Sequence, residues 1–268
     1  MNSFKERYGN TALVAGASEG LGAAFATQLA SLGLDLVLIA RRKEPLDIFA
    51  QKLRNDYAIQ VQTIAIDLAD ADAVSTIAAN IGATDINFLV YNACLSHIGH
   101  YLDMAPDQYT KLATVNMITP MKLLHHFGAK MTEKGRGGIV LMSSMAGLQG
   151  SAYLSVYGAT KAFDKIIAEG LWYEWKTKGV DVIACCAGAT ATPNYINTKP
   201  LKTSFLEPAP QLPEEVVAEC FQRIGAVPSF VSGRKNRLAS FFMHKILPRK
   251  LAIKIMGDTA KKMYSISA

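Results

Sequence analysis

Short apolar runs alternate with amphipathic segments along most of this 268-residue chain. The apolar runs predict strands, because continuous apolar runs of this length are typical of sheets buried on both faces. The segments between them carry apolar residues at helical spacing, which predicts helices. A strand–helix alternation of this kind builds a parallel sheet with helices on both of its faces. We therefore predict an α/β fold with a doubly wound parallel sheet of about seven strands.

The alternation can be followed through most of the chain. Strands are predicted at residues 10–15, 34–40, 60–66, 86–91, 139–143, 180–186 and, from a weaker pattern, 230–232. Helices are predicted at residues 20–32, 45–57, 70–81, 106–131 and 157–178. Residues 194–213 are rich in proline and show no clear period, which predicts a substrate-loop excursion from the sheet. We expect residues 1–268 to form a single domain with a basic helical tail at 234–268.

A glycine-rich turn follows the first predicted strand. Gly16, Gly20 and Gly22 lie between that strand and the first helix. Glycine lets the backbone turn tightly and approach a phosphate, and the helix N-terminus that follows offers free N–H groups. Ser18 can add a hydroxyl to such a phosphate, whereas Glu19 should point away from it. In this context the turn predicts a Rossmann-type dinucleotide site rather than a purely structural turn.

The end of the second predicted strand indicates which dinucleotide binds. A site for NAD usually places an acidic residue there, on the ribose 2′-hydroxyl. This chain has Arg41 and Arg42 at that position. A guanidinium suits a 2′-phosphate, so we predict NADP(H) as the cofactor, the alternative being two solvated turn arginines. Asp67, at the end of the third strand, is placed to meet the adenine edge.

A tyrosine and a lysine stand four residues apart at the start of a predicted helix. Tyr157 and Lys161 therefore share one helix face. A nearby ammonium lowers the pKa of a phenol, which then exchanges a proton with a carbonyl or alcohol oxygen. Ser144 follows the fifth strand, where its hydroxyl can bind the same oxygen. The tyrosine–lysine spacing alone is common by chance, but Ser144 and the glycine-rich turn favour a catalytic site.

At this point the chain resembles the short-chain dehydrogenase/reductase family. The resemblance covers roughly residues 8–193 and rests on motifs in the right order. They are the Gly16/Gly20/Gly22 turn, Asp67-Leu68, Asn92-Ala93, Val115-Asn116, Ser143 to Gly147, and Tyr157 to Lys161. Two motifs depart from the family pattern, at Tyr91 to Cys94 and at Ala187-Gly188. The basic, proline-containing end of the chain also resembles one branch of that family.

The resemblance implies a role for each matching position. Tyr157 is the expected acid/base, Lys161 lowers its pKa and holds the nicotinamide ribose, Ser144 orients the substrate oxygen, and Asn116 holds a relay water. The expected cofactor contacts are Gly16, Ser18, Gly20, Leu21, Gly22, Arg41, Arg42, Asp67, Leu68, Asn92, Ala93, Tyr157, Lys161, Gly188, Thr190 and Thr192. We choose Ser144 over Ser143 because Ser144 keeps the family's spacing to the tyrosine.

These expectations define an enzyme and one competing class. We predict an NADP(H)-dependent oxidoreductase that interconverts a carbonyl and a secondary alcohol. The variable segments 96–101 and 145–153 and the excursion with Tyr195, Leu201, Phe205 and Leu206 are largely apolar and aromatic. They predict a lipophilic substrate, such as a steroid-like, aryl or acyl-chain ketone. The alternative is a non-catalytic NADP(H)-binding regulator or scaffold, since fold does not fix function.

Charge and composition limit the partners. The net charge is +6, and basic residues near the end are interleaved with apolar ones. This pattern predicts either a solvated helix face or peripheral contact with an anionic membrane. No nucleic-acid module or metal-ligand spacing is recognised, so neither partner is expected. By family analogy the two long helices pair in a homodimer or homotetramer. Without a signal-peptide pattern, we expect a cytoplasmic protein.

Overall fold

One parallel sheet organises the molecule. The structure, a computed structural model, describes residues 4–198, 200–201 and 209–267. Seven strands pair in the order β3-β2-β1-β4-β5-β6-β7, every pair parallel. They are β1 (Thr11–Ala15), β2 (Asp35–Ala40), β3 (Val61–Ala65), β4 (Phe88–Tyr91), β5 (Gly137–Ser144), β6 (Val180–Ala187) and β7 (Ser229–Val231). The predicted seven-strand, doubly wound sheet is confirmed, including its weakest strand.

Helices cover both faces of the sheet. The α-helices are α1 (Phe4–Tyr8), α2 (Gly20–Ser31), α3 (Lys43–Tyr57), α4 (Ala73–Ile81), α5 (Pro106–Ala113), α6 (Thr119–Glu133), α7 (Ser155–Lys176), α8 (Pro193–Asn197), α9 (Pro213–Arg223), α10 (Arg234–Phe241) and α11 (Arg249–Met263). Short 3₁₀ turns lie at Tyr101–Asp103 and Met145–Leu148. The five predicted helices are present, whereas the short helices α1 and α8 and the longer α9 were not foreseen. Its proline at the first position and its acidic first turn are ordinary helix-start signals.

The sheet is buried on both sides, as its apolar strands require. Successive residues of β1 point to opposite faces. Ala12 and Val14 pack into one core cluster, and Leu13 and Ala15 pack into the other, all with 0% exposure. Strand order reverses beside β1, where the chain leaves toward β2 on one side and β4 on the other. In open α/β sheets, ligands bind at this crevice, outside the carboxyl ends of the strands.

The long helix predicted from Pro106 is not uniform. A π-helical segment, Thr114–Ile118, separates α5 from α6. One widened turn therefore lies within an otherwise α-helical rod, and Asn116 is its central residue. Such π segments often occur at functional sites, because the extra residue per turn redirects backbone and side-chain groups. The helical region lies where it was predicted, but the apolar spacing could not predict the π-type hydrogen bonds within it.

The excursion and the tail complete the structure. Within the excursion, α8 is followed by described residues near Gln211, which forms a parallel bridge with Thr190. The predicted substrate-wall residues Phe205 and Leu206 lie outside the described residues. The tail continues from α10 through a π segment, Phe242–Ile246, into α11. Within the described chain, no helix combines the length and apolar character required to cross a bilayer.

Candidate active site

The glycine-rich turn between β1 and α2 is built for a close approach. Gly16 and Gly20 have φ angles of +79° and +57°, which favour glycine. A Cβ on Gly16 would lie 2.7 Å from the Ala93 backbone, and one on Gly22 would lie 1.8 Å from the Gly16 carbonyl oxygen. Among the described side chains none caps the start of α2. The exposed helix dipole and free N–H groups there fit an anionic phosphate.

Two arginines follow β2, and Arg42 contacts Glu19 of this turn. Both Arg41 and Arg42 are exposed. Arg42 Nη2 lies 2.7 Å from the Glu19 carboxylate, and both side chains are about half exposed. Glu19 therefore occupies one of the two arginines. An exposed pair of this kind is weak, so a phosphate can compete for the guanidinium.

The ends of the next strands supply polar groups to the same edge. Asp67 is held by Lys111 on α5, whose Nζ lies 2.9 Å from its carboxylate. Burial raises the pKa of Asp67, but hydrogen bonds from Lys111 and the Ala69 N–H outweigh it and hold that pKa below its ordinary value. The Leu68 carbonyl accepts from Thr119 Oγ1 at 2.7 Å. The third strand's end is thus tied to the α5–α6 rod.

The segment after β4 is joined to the glycine-rich turn. Asn92 Nδ2 donates to the Gly16 carbonyl at 3.0 Å, and the Ala93 N–H donates to the Ala15 carbonyl at 2.9 Å. Ala93 also packs directly against Gly16. The predicted contacts Gly16, Asn92 and Ala93 are therefore brought together. Leu21 lies on the first turn of α2 and is partly buried against the hydrophobic core.

The remaining predicted cofactor contacts, Gly188, Thr190 and Thr192, follow β6. Both threonine hydroxyls form hydrogen bonds within this segment. Thr190 is buried and its Oγ1 donates to the Gly188 carbonyl at 3.1 Å. Thr192 caps α8, its hydroxyl accepting from the Tyr195 N–H at 3.2 Å. A Cβ on Gly20 would lie 2.9 Å from the Thr192 side chain, so α8 adjoins the glycine-rich turn. Both threonines therefore shape the loop in addition to facing the site.

Asn116 is fully buried at the π segment, and its side chain is committed. Its Oδ1 accepts from the Leu95 N–H, and its Nδ2 donates to the Leu95 carbonyl, each at 2.8 Å. Nδ2 also donates to Thr160 Oγ1 at 3.0 Å. Tyr91, where the family has asparagine, donates its hydroxyl to the Val115 carbonyl. The departure at Tyr91 therefore supports the same π segment.

The two serines at the end of β5 have different environments. Ser143 is buried, and its hydroxyl donates to the Lys161 carbonyl at 2.6 Å. Ser144 begins the 3₁₀ turn after β5, accepts from the Ala146 N–H at 3.2 Å, and its hydroxyl lies close enough to Tyr157 to lower the pKa of that phenol. The geometry therefore brings Ser144, and not Ser143, to the tyrosine hydroxyl.

Lys161 lies beside Tyr157 with its ammonium held on two sides. Its Nζ is 5.9 Å from the centre of the Tyr157 ring. The same Nζ donates to the Met142 carbonyl at 2.7 Å and to the Asp164 carboxylate at 3.0 Å. Lys161 and Asp164 are 3% and 1% exposed, so the charges are paired in the interior.

The electrostatic balance at Tyr157 differs from the expectation. Burial and the nearby Cys94 raise the pKa of Tyr157 to about 12, although Lys161 and Ser144 lower it. Asp164 adds a smaller upward contribution. Desolvation therefore outweighs the ammonium, and the tyrosine is a protonated phenol at neutral pH. A phenol in this state can donate a proton to a carbonyl oxygen.

An aromatic recess lies next to Tyr157. It is lined by His97, Gly99, Tyr101, Tyr109, Tyr153, Ser155, Val156 and Tyr157. Tyr153 has a φ of +64°, an uncommon conformation for a bulky residue and one that recurs at binding sites. His97 packs edge-on against Tyr109, and its buried Nε2 finds no hydrogen-bond partner among the described residues. The recess combines aromatic walls with a polar group, as small-molecule pockets commonly do.

The basic tail packs on this side of the molecule through one face of α11, while its basic residues Arg249, Lys250 and Lys254 stay exposed. Gln149 Nε2 donates to the Ala252 carbonyl on α11 at 3.5 Å, and Ala252 is completely buried. The Leu201 N–H donates to the Met263 carbonyl at 2.8 Å. Further along, His100 Nε2 lies 3.1 Å from the Ser267 carbonyl oxygen. One face of α11 therefore packs on the loops that border the recess.

Sequence reasoning missed three contributors to this site. Asp164 pairs with Lys161, Thr160 binds Asn116, and Lys111 binds Asp67. The signal for Asp164 was present, because it follows Lys161 by three positions and Tyr157 by seven on one helix. No comparable spacing marks Lys111, whose contact joins separate elements.

Comparison with known proteins identifies the same family as the sequence motifs. A family profile described as short chain dehydrogenase matches residues 10–201. The 7beta-hydroxysteroid dehydrogenase of Clostridium sardiniense is 32% identical over 235 residues, covering 88% of this chain and 90% of that protein. A structure solved for a study of 7beta-hydroxysteroid dehydrogenase stereoselectivity is similar with a TM-score of 0.88 and 29% identity, over 96% of this chain and 99% of that one. A short-chain dehydrogenase from Sphingobium yanoikuyae in complex with NADPH has a TM-score of 0.74 and 28% identity, over 83% and 87% of the two chains.

Proposed function

This chain belongs to the short-chain dehydrogenase family, and on that premise we propose that it is an NADP(H)-dependent oxidoreductase interconverting a ketone and a secondary alcohol. One observation carries the proposal. Ser144, Tyr157 and Lys161 come together beside an aromatic recess, where the serine hydroxyl and the ammonium both act on the pKa of the tyrosine. A protein that only binds a dinucleotide has no need of this proton-handling group. No feature of the described site therefore specifically favours the alternative, a non-catalytic regulator or scaffold.

The cofactor assignment rests on the glycine-rich turn and the arginines. The uncapped start of α2 suits the pyrophosphate, and Arg41 and Arg42 suit a 2′-phosphate. Asp67 and Leu68 border the adenine side, and Lys161, Gly188 and Thr190 border the nicotinamide side. When bound, NADPH supplies the hydride that adds to the carbonyl carbon.

The chain's own residues handle the proton. Tyr157 donates its phenolic proton to the carbonyl oxygen during reduction and accepts a proton from the alcohol in reverse. Ser144 hydrogen-bonds the same oxygen, which orients it and stabilises the charge that develops there. Lys161 adds positive charge at the tyrosine and holds the ribose side of the site. Since both side-chain donors of Asn116 are committed, we assign its water-holding role to its main-chain carbonyl.

The recess favours a lipophilic substrate. Four of the eight residues that line it are tyrosines, and α11 packs on Gln149 in the loop that leads to the recess. Flat ring systems and acyl chains fit walls of this kind, with the ketone anchored at Tyr157 and Ser144. The names of the similar 7beta-hydroxysteroid dehydrogenases support a steroid-like ring system as the first class to test.

Assembly and location follow from exposed features. On α6 and α7, the apolar side chains of Met121, Ile166 and Tyr173 are exposed, which supports a homodimer or homotetramer through these helices. Four cysteines remain free thiols, as suits a reducing cytoplasm. We also propose that residues 1–268 form one domain. The basic, proline-containing end of the chain supports its place in the branch of the family that this end resembles. Exposed Phe241 and Phe242 on the basic tail keep peripheral membrane contact as a further proposal.

The decisive experiment measures NADPH oxidation with a panel of steroid, aryl and acyl-chain ketones. The matched control is Tyr157→Phe, which keeps the ring and removes the proton. We expect turnover with at least one class of ketone and its loss in the variant, with NADPH binding retained. Tight NADPH binding without turnover on any class would favour the regulator. Undiminished turnover in Tyr157→Phe would contradict the catalytic assignment.

A further inference from the structure

An unusual acidic residue lies on the helix that carries the catalytic tyrosine and lysine. Asp164 follows Lys161 by three positions and Tyr157 by seven, so the three side chains share one face of α7. Asp164 is 1% exposed. Aspartate is almost never buried to this degree unless it is paired. Its burial therefore requires a partner within the protein.

That partner is the catalytic lysine. Asp164 Oδ2 accepts from Lys161 Nζ at 3.0 Å, whereas Asp164 Oδ1 is buried with no hydrogen-bond partner in the described part of the chain. The ammonium is thus the described group that compensates this carboxylate. Of the three N–H donors of Lys161, one serves Asp164 and one the Met142 carbonyl. The third is left for the side of the site that holds Tyr157.

The carboxylate also changes the charge felt by the tyrosine. The titratable groups that interact with Asp164 from the surrounding elements are Lys161 and Tyr157 on α7, Tyr91 on β4 and Cys186 on β6. Cys94, in the loop after β4, faces Tyr157 and Lys161. Burial raises the pKa of Cys186 to about 11 and that of Tyr91 well above its ordinary value, so both are neutral at neutral pH. Asp164 therefore supplies negative charge that offsets the nearby ammonium.

We propose that Asp164 is a positioning residue for the catalytic lysine, fixing its ammonium against the Met142 carbonyl and weakening its pull on the Tyr157 proton. A tyrosine that retains its proton at neutral pH can give that proton to a ketone at once. The alcohol direction must first ionise the same phenol. The pairing thereby favours ketone reduction at neutral pH. The inference rests on the proposed function, since it names the direction in which that site works best.

The test replaces Asp164 with asparagine, which keeps the shape and removes the charge. Glu169→Gln is the matched control, because Glu169 also pairs with a lysine on α7, Lys165, but is partly exposed and lies farther from Tyr157. The phenolate absorbance of Tyr157 is titrated as the difference between each protein and its Tyr157→Phe version. This readout needs no substrate. We expect the Tyr157 midpoint to fall by about one pH unit in Asp164→Asn and to stay unchanged in Glu169→Gln.

The pH profile of alcohol oxidation supplies the second readout. Its acidic limb should move to lower pH in Asp164→Asn by the same amount, with little change in NADPH affinity. Equal midpoints in wild type and Asp164→Asn, with both proteins folded, would overturn the inference and leave a purely structural ion pair. If Asp164→Asn does not fold, Asp164→Ser, which also removes the charge, is titrated in its place. A lower Tyr157 midpoint than in wild type supports the inference, and an unchanged midpoint overturns it.

The two proposals fail in different ways. A shifted Tyr157 titration without turnover on any ketone would contradict the proposed function and support the Asp164 pairing. Turnover that Tyr157→Phe abolishes, together with an unshifted titration, would support the function and contradict the pairing.

Discussion

Asn116 and Leu95 are joined by two hydrogen bonds, each 2.8 Å long, in which the asparagine amide pairs with the leucine backbone N–H and carbonyl. The side-chain amide thus pairs with the Leu95 backbone as a neighbouring peptide group would. It fixes the loop after β4 to the π segment between α5 and α6. Because that loop leads into the recess, the contact connects the helix core with the substrate side of the site.

Loss of this contact should cost stability as well as activity. Asn116→Ala leaves both Leu95 backbone groups without their partner, and each such group costs about 1–3 kcal/mol. We expect the free energy of unfolding to fall by at least about 2 kcal/mol in urea denaturation. Asn80→Ala is the control, because Asn80 donates to the Thr76 carbonyl on an exposed helix face. Equal stability losses in both variants would contradict the structural role of Asn116.

The serine pair allows a clean comparison of adjacent positions. Ser144→Ala removes the hydroxyl that we propose to bind the substrate oxygen and should lower kcat about 100- to 1000-fold, as loss of one donor to a developing charge does elsewhere. Ser143→Ala removes the bond to the Lys161 carbonyl and should lower the free energy of unfolding by about 1 kcal/mol. Steady-state kinetics and urea denaturation of both variants measure these effects. A larger loss of kcat in Ser143→Ala would reverse the assignment.

The Arg42–Glu19 pair should modulate cofactor affinity. Glu19→Gln releases Arg42 and removes a negative charge near the phosphates, so the Kd for NADPH should fall several-fold. Arg42→Ala should raise the NADPH KM about 10- to 100-fold, the effect of losing one charge-assisted hydrogen bond, with little change for NADH. The ratio of kcat/KM for the two cofactors is the measurement. If both cofactors weaken equally in Arg42→Ala, the arginine does not read the 2′-phosphate.

Acid should loosen the junction between β7 and the tail. Burial raises the pKa of Glu219, but hydrogen bonds from the Gly233 N–H, Arg237 and Ser232 outweigh it, so the pKa is below its ordinary value. Its stabilising effect is then complete above the unfolded pKa of about 4.3 and is lost as the pH falls through the lower folded value. Urea denaturation across this range should show wild type more stable than Glu219→Gln at neutral pH, with the difference shrinking in acid. A difference that grows in acid would contradict this assignment.

The packing of α11 on the loops near the recess should influence substrate size. Ala252→Asp places a charge where the residue is fully buried and should displace α11. We expect the KM for bulky ketones to rise several-fold, while kcat/KM for small ketones changes little. Lys254→Ala, an exposed change on the same helix, is the control. Equal effects on large and small ketones would show that α11 does not wall the substrate site.

Apolar periodicity was enough to predict the sheet, because a strand buried on both faces must be a continuous apolar run. It predicted 34–40 where β2 spans Asp35–Ala40, and 180–186 where β6 spans Val180–Ala187. The π segment could not be predicted in this way, since it changes which backbone groups pair and leaves the apolar spacing nearly unaltered. Asp164 was missed for another reason. Its spacing places it on the helix face of Lys161 and Tyr157, but aspartate on a helix is usually solvated, and the burial of that face is seen only in the structure.

In the proposed mechanism Tyr157, Lys161 and Asp164 act together, and all three belong to one rigid helix, α7. Four of the residues that line the recess lie outside the α-helices, namely His97, Gly99, Tyr101 and Tyr153. Loops tolerate insertion and replacement far better than a packed helix does. Descendants of this chain can therefore exchange one ketone for another by altering those segments, and the chemical step is inherited intact. The loop segments of the recess can therefore evolve quickly, whereas the catalytic face of α7 must be conserved.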